Sequence, residues 1–112
     1  MSWKSPREPR LRWLVLALRK DLNAPNARFV CATVGHTEKG ANGNEGLILN
    51  AQLAVDGKTS KHPEFKGNVA TVYTNPISMG GASNGHYGGN TETYMNVGEA
   101  MGRAMVELMK DE

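Results

Sequence analysis

Apolar residues along the chain fall into five runs, and the spacing within each run predicts one secondary-structure element. Three runs repeat every three to four residues, as one face of a helix does, over residues 9–22, 45–55 and 91–110. Two shorter runs, over residues 28–34 and 69–74, are almost continuously apolar, which is typical of strands buried on both faces. The predicted order is therefore α-β-α-β-α, with two parallel strands side by side.

Each predicted helix has an apolar stripe on one face. In the first helix, the stripe comprises Leu11, Leu14, Val15, Leu18 and Leu22. In the second, it comprises Leu47, Ile48, Ala51, Ala54 and Val55. In the third, it comprises Tyr94, Val97, Gly98, Met101, Ala104, Met105 and Leu108. Asn44 is the predicted N-cap of the second helix, because asparagine favours that position.

Two glycines interrupt the third helix. Gly98 and Gly102 each lower helix propensity by about 1 kcal/mol relative to alanine. We therefore expect a neighbouring backbone to approach the helix closely there. Between the second helix and the second strand, residues 58–68 form a polar linker, in which His62 precedes Pro63. We expect His62 to be exposed to solvent and to have no functional role.

A sheet of two strands leaves both edges open. The pattern thus predicts the end of a larger α/β domain, or half of an assembly that completes the sheet. The length of 112 residues fits one domain or part of one. A net charge of +2 is too small to indicate nucleic acid or another charged partner. No apolar run is long enough to span a membrane, and the first twenty residues lack the features of a signal peptide.

The single cysteine, Cys31, excludes an intrachain disulfide. It lies in the first predicted strand, where a small buried residue is the expected role. A nucleophilic cysteine needs a neighbouring base or a positive charge, and nothing nearby in the sequence supplies either.

Candidate chemistry is concentrated in a glycine-rich loop, residues 78–90, between the second strand and the third helix. This loop carries His86, at a place where open α/β sheets hold functional residues. His36 follows the first strand, so both histidines are predicted at the carboxyl ends of strands and could face one cleft. The alternatives are an ordinary surface histidine at 86 and, at 36, a polar residue bonded to the local backbone.

A histidine in such a place serves most often as a general base or as a metal ligand. The three histidines show no ligand spacing, so we predict neither a metal nor another cofactor. Residues 81–85 match G-x-S-x-G around Ser83, but that motif requires a tight turn directly between a strand and a helix. In a stretch so rich in glycine and serine, a chance match is the favoured interpretation.

Several segments together resemble one enzyme family. They are residues 20–30, Gly35-His36-Thr37, residues 45–46, 51–53 and 67–72 and, most specifically, residues 85–102, which begin Gly85-His86-Tyr87-Gly88-Gly89-Asn90. The chain resembles the C-terminal part of the sialate O-acetylesterase-like carbohydrate esterases, which are GDSL-like (SGNH) serine hydrolases. The resemblance assigns residues 13–112 to a partial esterase domain and leaves residues 1–12, a polar and basic lead-in, unplaced.

The resemblance implies a three-layer α/β/α domain of flavodoxin-like, SGNH type, with a parallel sheet. It also implies removal of O-acetyl groups from sugars without a metal or other cofactor, with His86 as the catalytic base and an acetylated carbohydrate as the binding partner. Members of the family are often exported, but the sequence itself assigns no compartment.

Two departures from the family pattern shape the functional prediction. Ser83 stands where the family has an aspartate three residues before the histidine, so Ser83 and His36 are candidates only for supporting roles. The segments that carry the nucleophilic serine and the oxyanion hole in the family have no counterpart here. We therefore expect the chain to be inactive alone and to bind the missing N-terminal part of the domain or a second copy. The alternative is a non-catalytic sheet-completing or carbohydrate-binding module.

Overall fold

Three helices and a two-stranded parallel sheet form the fold. The computed structural model describes residues 7–59, 61–80 and 87–110. In chain order, the elements are α1 (Arg7–Asp21), β1 (Phe29–Ala32), α2 (Gly43–Ala54), β2 (Val69–Val72) and α3 (Thr91–Lys110). This is a mixed α/β protein, and the predicted order of elements is confirmed. None of the described helices is both long and apolar enough to cross a membrane.

The two strands pair in parallel, with Phe29 opposite Val69 and Ala32 opposite Val72. Both are shorter than the sequence pattern predicts. The reason lies at Thr33 and Thr74, where hydroxyl groups replace part of the regular ladder. Thr74 N–H donates to Thr33 Oγ1 over 3.0 Å, and Thr74 Oγ1 donates to Thr33 O over 2.9 Å.

Helices cover both faces of the sheet. On one face α1 packs against α2, and on the other α3 packs against both strands. The main hydrophobic cluster lies between the sheet and the α1–α2 layer, and it comprises Val15, Val55, Phe65 and Val69, with Leu11, Leu16 and Phe29 packed around them. On the α3 side Leu108 is buried, and its carbonyl accepts a hydrogen bond from Arg28 Nε over 3.1 Å.

β1 is less buried than predicted. All four of its residues are half-buried, because within the described part of the chain no strand lies along the edge that faces away from β2. Cys31 is likewise half-buried rather than buried. Partial burial raises the pKa of its thiol, and the protonated form that this favours is unreactive.

The stripe predicted for α1 is only partly used. Val15 is buried, but Leu14 is 45% exposed and Leu22 is 71% exposed. The helix starts at Arg7, two residues before the predicted start, and ends at Asp21, one residue before the predicted end. Asn23 then adopts a positive φ of 50°. Much of the apolar surface of α1 therefore faces away from the core.

Arg19, in the last turn of α1, is buried. Its Nε donates to Ala27 O over 2.9 Å, and its Nη2 donates to Asn68 Oδ1 over 2.8 Å. The guanidinium lies 5.5 Å from the ring centroid of Phe29 and 5.9 Å from that of Phe65. Burial lowers the pKa of Arg19. This side chain thus links the end of α1 to the entry of both strands.

α2 begins two residues earlier than predicted, at Gly43. Asn44 lies inside the helix, and the N-cap is Asn42, whose side chain makes no capping bond. Gly43 has a φ of 72°, a conformation that glycine adopts without strain, so the chain can turn into the helix there. The buried face is also rotated, since Leu49 is fully buried while Leu47 is 41% exposed.

α3 has the predicted bounds, but the predicted reason for its glycines is wrong. A Cβ atom added at Gly98 or Gly102 would meet no atom within 4 Å outside the helix itself. No neighbouring backbone approaches them in the described structure. Tyr94, assigned to the buried stripe, is 49% exposed, whereas Thr93 is fully buried.

The linker before β2 is more structured than predicted, and His62 is not solvent-exposed. Its side chain is only 16% exposed and its Nε2 lies 3.0 Å from Glu8 Oε2. Lys61 Nζ donates to the other oxygen of Glu8 over 2.8 Å. The hydrogen bond from Lys61 lowers the pKa of Glu8, and His62 acts in the same direction. An ion pair between Arg12 and Glu64 reinforces the contact between this segment and α1.

Candidate functional site at the carboxyl edge of the sheet

Both strands end at the same edge of the sheet, where their last residues form a buried polar cluster. Thr33 and Thr74 are 4% and 1% exposed, and their hydroxyl oxygens lie 3.3 Å apart. Ser78 Oγ donates to Thr74 O over 2.7 Å. These contacts hold the loop after β1 and the loop after β2 in a fixed relation to each other.

Gly35 is the point where three segments meet. Asn75 Nδ2 donates to its carbonyl over 3.0 Å, and its own N–H donates to the hydroxyl of Tyr87 over 3.1 Å. A Cβ atom at this position would collide with Ser78 Oγ and with the Tyr87 side chain. Only glycine allows the tyrosine hydroxyl to approach the backbone so closely.

Tyr87 reaches Gly35 from an unusual backbone conformation. It has a positive φ of 52°, and Gly88 and Gly89 follow with φ values of 59° and 75°. A tyrosine in this region carries strain of order 1–3 kcal/mol, which surrounding contacts must offset. Here these contacts are the hydrogen bond to Gly35 and an edge-on contact with Tyr94, whose ring centroid lies 5.7 Å away.

The start of α3 is fixed to the loop after β2. Asn90 Oδ1 accepts the Thr93 N–H over 2.8 Å, which is the hydrogen bond of a helix N-cap. The hydroxyl of Thr93 accepts the Met79 N–H over 2.7 Å. The two ends of the glycine-rich loop, at Met79 and at Tyr87–Asn90, are therefore both anchored at this edge.

His36 lies at the same edge and is exposed. It stands in a turn closed by a hydrogen bond from Thr37 N to Val34 O, 3.2 Å long. Among the residues that the structure describes, none hydrogen-bonds to or pairs with its imidazole. The predicted alternative, a histidine that bonds the local backbone, is thus not observed, and the ring is accessible to solvent.

Thr37, next to His36, carries an unused polar group. It is 2% exposed, and its hydroxyl has no hydrogen-bond partner in the described structure. Such a buried hydroxyl costs about 1–3 kcal/mol when unpaired. The edge thus combines an accessible imidazole with an unsatisfied hydroxyl.

His86 and Ser83 lie outside the described residues, as does the whole G-x-S-x-G match at 81–85. The structure does place Tyr87, the residue after His86, against the loop that carries His36. That His36 and His86 face one cleft stays a prediction.

Neither a cluster of metal-ligating side chains nor the cavity along β2 belongs to the described part of this edge. Within residues 7–59, 61–80 and 87–110, no group of three or more His, Cys, Asp or Glu side chains could hold a metal ion. A cavity of about 530 Å³ lies elsewhere, along β2 and the end of α3. Its charged lining residues are of both signs, and they are Asp56, Lys58, Lys66 and Glu107.

Sequence reasoning located the edge but missed the residues that build it. Gly35 was part of a recognised segment, yet nothing marked it as a contact point. Nothing in the sequence marks Asn75 as a contact either, and Tyr87 is predicted only as part of the glycine-rich loop. The bond between Tyr87 and Gly35 joins residues 52 positions apart, and no local periodicity encodes such a contact.

Comparison of the chain with models of protein families, with curated proteins and with solved structures finds no match in any of the three. Fold and site together define a mixed α/β protein with a polar, partly accessible edge where its parallel strands end.

Proposed function

We propose that this chain is the C-terminal segment of a serine carbohydrate esterase that removes O-acetyl groups from sugars. In this proposal, His86 is the general base. The nucleophilic serine and the oxyanion-hole donors come from polypeptide that precedes the chain. One observation carries the proposal, namely the hydrogen bond of 3.1 Å from Gly35 N–H to the Tyr87 hydroxyl.

That hydrogen bond supports a position for His86 at the carboxyl edge of the sheet. In this proposal His86 belongs to the same edge as Tyr87, since consecutive Cα atoms are only about 3.8 Å apart. In open α/β sheets, the crevice at the carboxyl ends of the strands is where ligands bind. The anchors at Met79 and Asn90 support the same placement from both ends of the loop.

The proposed reaction follows from the chemistry of a neutral imidazole. His86 accepts the proton of the serine hydroxyl as its oxygen attacks the acetyl carbonyl. The imidazolium then donates that proton to the departing sugar oxygen, which leaves an acetyl group on the serine. A water molecule, deprotonated by the same histidine, then attacks the acetyl carbonyl. The bond to the serine oxygen breaks, acetate leaves, and the imidazolium returns the proton to the serine.

An acid usually orients such a histidine, and Ser83 stands where the resemblance leads us to expect one. Ser83 can accept or donate only a neutral hydrogen bond, so it can orient an imidazole but cannot stabilise its charged form as a carboxylate does. His36, which is accessible at this edge, is the second candidate for a supporting role.

The test begins with the DNA upstream of Met1, read in all three frames for a strand, a serine on a tight turn and a helix. The encoded segment is then joined to this chain and assayed with 4-nitrophenyl acetate. We expect His86→Ala to lower the rate by up to about 10⁶, as loss of the base does in a serine protease. His62→Ala is the matched control, because it removes an imidazole that pairs with Glu8 instead.

Two results would contradict the proposal. One is the absence of such a serine-bearing segment in every frame. The other is an equal rate for the joined protein and its His86→Ala variant. Equal rates would favour the second candidate, a non-catalytic module that completes a sheet or binds carbohydrate, which the two-stranded sheet with its uncovered β1 edge also supports.

A further inference from the structure

The direction of each backbone group in the sheet follows from two hydrogen bonds. Phe29 N–H donates to Asn68 O, and Thr33 N–H donates to Val72 O, each over 3.0 Å. Odd-numbered residues of β1 therefore point their amides at β2. Along a strand, alternate residues direct their backbone groups to opposite sides. The backbone N–H and C=O groups of even-numbered residues in β1 therefore point to the outer edge of β1. Those of odd-numbered residues in β2 point to the outer edge of β2.

The outer edge of β1 is open. Val30 and Ala32 direct their N–H and C=O groups away from β2, and neither N–H has a hydrogen-bond partner in the described part of the chain. The carbonyl of Ala32 accepts only a long contact of 3.7 Å from the neighbouring Cys31 Sγ, which leaves it available to a strand. Only further along, at Val34, does a side chain cover the backbone, where Gln52 Oε1 accepts the N–H over 3.1 Å. Neither Val30 nor Ala32 brings a charge or a proline that would discourage pairing.

The outer edge of β2 is blocked. The outward N–H of Thr71, in the middle of the edge, donates to Asp56 Oδ2 over 3.0 Å. Lys58 N–H donates to the other carboxylate oxygen over 2.8 Å, which holds the group in place. A strand that approached this edge would lose the Thr71 amide as a donor and set its own carbonyl oxygens against a carboxylate. The two edges are therefore not equivalent.

Chain connectivity points to the same edge. α1 and α2 pack together on one face of the sheet, and α2 is the crossover from β1 to β2. Crossovers between parallel strands are almost always right-handed. Two successive crossovers of the same hand on the same face advance the sheet in one direction. A strand that fed α1 would therefore lie beside β1, on the side away from β2.

We propose that the open edge of β1, at Val30 and Ala32, binds an uncharged apolar strand that runs parallel to β1 and belongs to the polypeptide preceding α1. β1 then becomes an inner strand of a sheet of at least three strands, the number that independent stability generally needs. The proposal rests on the proposed function only in assuming that such polypeptide exists. Half-exposed Leu14 and Gln52 line one groove between α1 and α2, together with Arg7 and Arg10, so the surface that continues from this edge onto α1 is partly apolar and partly basic.

Amide hydrogen exchange measured by NMR tests the proposal residue by residue. The chain alone is compared with the same chain joined to the segment encoded upstream of Met1. We expect exchange at Val30 and Ala32 to slow by roughly 100-fold or more on joining, because these amides change from open to paired. Thr71, already bonded to Asp56, serves as the internal control for the blocked edge and should gain far less protection.

Three results would overturn the proposal. The first is protection at Thr71 that rises as much as at Val30 and Ala32, or no added protection at Val30 and Ala32. The second is an upstream sequence that encodes no apolar strand. The third is concentration-dependent protection of Val30 and Ala32 in the chain alone, which would assign the edge to a second copy. Hydrolysis of 4-nitrophenyl acetate reports on His86 and not on strand order, so this proposal and the proposed function fail separately.

A substitution adds a second readout. Ala32→Pro removes one outward N–H without touching the β1–β2 ladder, and a proline is tolerated on an edge strand. We expect it to weaken binding of the separately expressed upstream segment by about fivefold or more, because one carbonyl of that segment is then buried without a donor. Ala32→Ser, which keeps the amide at similar size, is the matched control and should bind normally. Equal binding by both variants would contradict pairing at this edge.

Discussion

Gly35 and Tyr87 form the contact on which the candidate site depends. Gly35 is buried, so its N–H has no access to water if the tyrosine hydroxyl is removed. The same hydroxyl helps to offset the strain of a positive φ at Tyr87. The contact therefore orders two loops at once, the one that carries His36 and the one that leads into α3.

Tyr87→Phe tests this contact with little change in shape. It leaves the buried Gly35 N–H without an acceptor, at a cost of about 1–3 kcal/mol. We expect the substitution to accelerate amide exchange at Gly35 by a factor that lies between roughly five and somewhat more than one hundred. Tyr73→Phe is the matched control, because the Tyr73 hydroxyl also accepts a backbone N–H, that of Lys39 over 2.8 Å, but at an exposed position. Unchanged exchange at Gly35 would mean that the bond contributes nothing.

The location of some site residues can be predicted from the sequence, but their contacts cannot. The strand-end place of His36 follows from an apolar run that stops at Gly35, and the structure confirms it. That its imidazole has no partner among the described residues, and that the hydroxyl of Thr37 is buried, do not follow from the sequence, since both depend on which segments meet in three dimensions. Tyr87 was unforeseeable for the same reason.

The contact between α1 and the segment before β2 depends on pH through the carboxylate of Glu8. The hydrogen bond from Lys61, aided by His62, lowers the pKa of Glu8 in the folded chain. A lowered pKa in the folded state means that the stabilisation is complete above the ordinary carboxyl value of 4.5. It is lost as pH falls through the lower value of the folded state.

We therefore expect the urea midpoint of the helical circular dichroism signal to fall as pH is lowered from 5 toward about 3. Glu8→Gln should lose part of that dependence, because the amide does not titrate. Glu107→Gln, which removes an exposed carboxylate without an ion pair in the described structure, is the control. An unchanged pH profile in Glu8→Gln would refute a role for this carboxylate.

Whole elements were predicted more accurately than the surfaces that they bury. α3 has the predicted bounds because its periodic run is long and ends cleanly on both sides. α2 buries Leu49 in place of Leu47, since two adjacent stripes of similar apolarity compete and only tertiary packing chooses between them. The burial of Arg19 had no signal in the sequence, because an arginine near a helix C-terminus fits the helix dipole equally well in water.

The glycines of α3 supply a prediction for that element. Gly98 and Gly102 face open space, so a methyl group at either position meets no obstacle. Alanine at each should stabilise the helix by about 1 kcal/mol, since it reduces the entropy lost on folding. The measurement is the opening free energy of α3 from amide exchange in Gly98→Ala and Gly102→Ala.

A third glycine provides the control for this measurement. At Gly57, a Cβ atom would collide with the carbonyl of Phe65. Gly57→Ala should therefore destabilise the fold, in contrast to the two helix variants. Destabilisation by alanine at Gly98 or Gly102 in the isolated chain would contradict the open surroundings of those positions.

At the scale of the whole molecule, the structure leaves much apolar surface uncovered. Large apolar side chains on the outer faces of all three helices are exposed, among them Trp13 at 67%, Met95 at 70% and Met109 at 55%. The radius of gyration is 14.7 Å, above the approximately 13 Å expected for a compact domain of this length. The main hydrophobic cluster, between the sheet and the α1–α2 layer, contains four buried residues. That is a small core for a chain of 112 residues.

This imbalance predicts weak cooperativity in the isolated chain. Two short strands cannot form a stable sheet by themselves, and one open edge adds unpaired backbone groups. We expect calorimetry to show a broad thermal transition or none, and near-ultraviolet circular dichroism to fade gradually on heating. Joining the upstream segment should sharpen the transition, because a strand beside β1 would bury the edge and the half-exposed residues around it. A sharp cooperative transition of the chain as a monomer would show that it folds as a complete unit, and the fragment hypothesis would then be wrong.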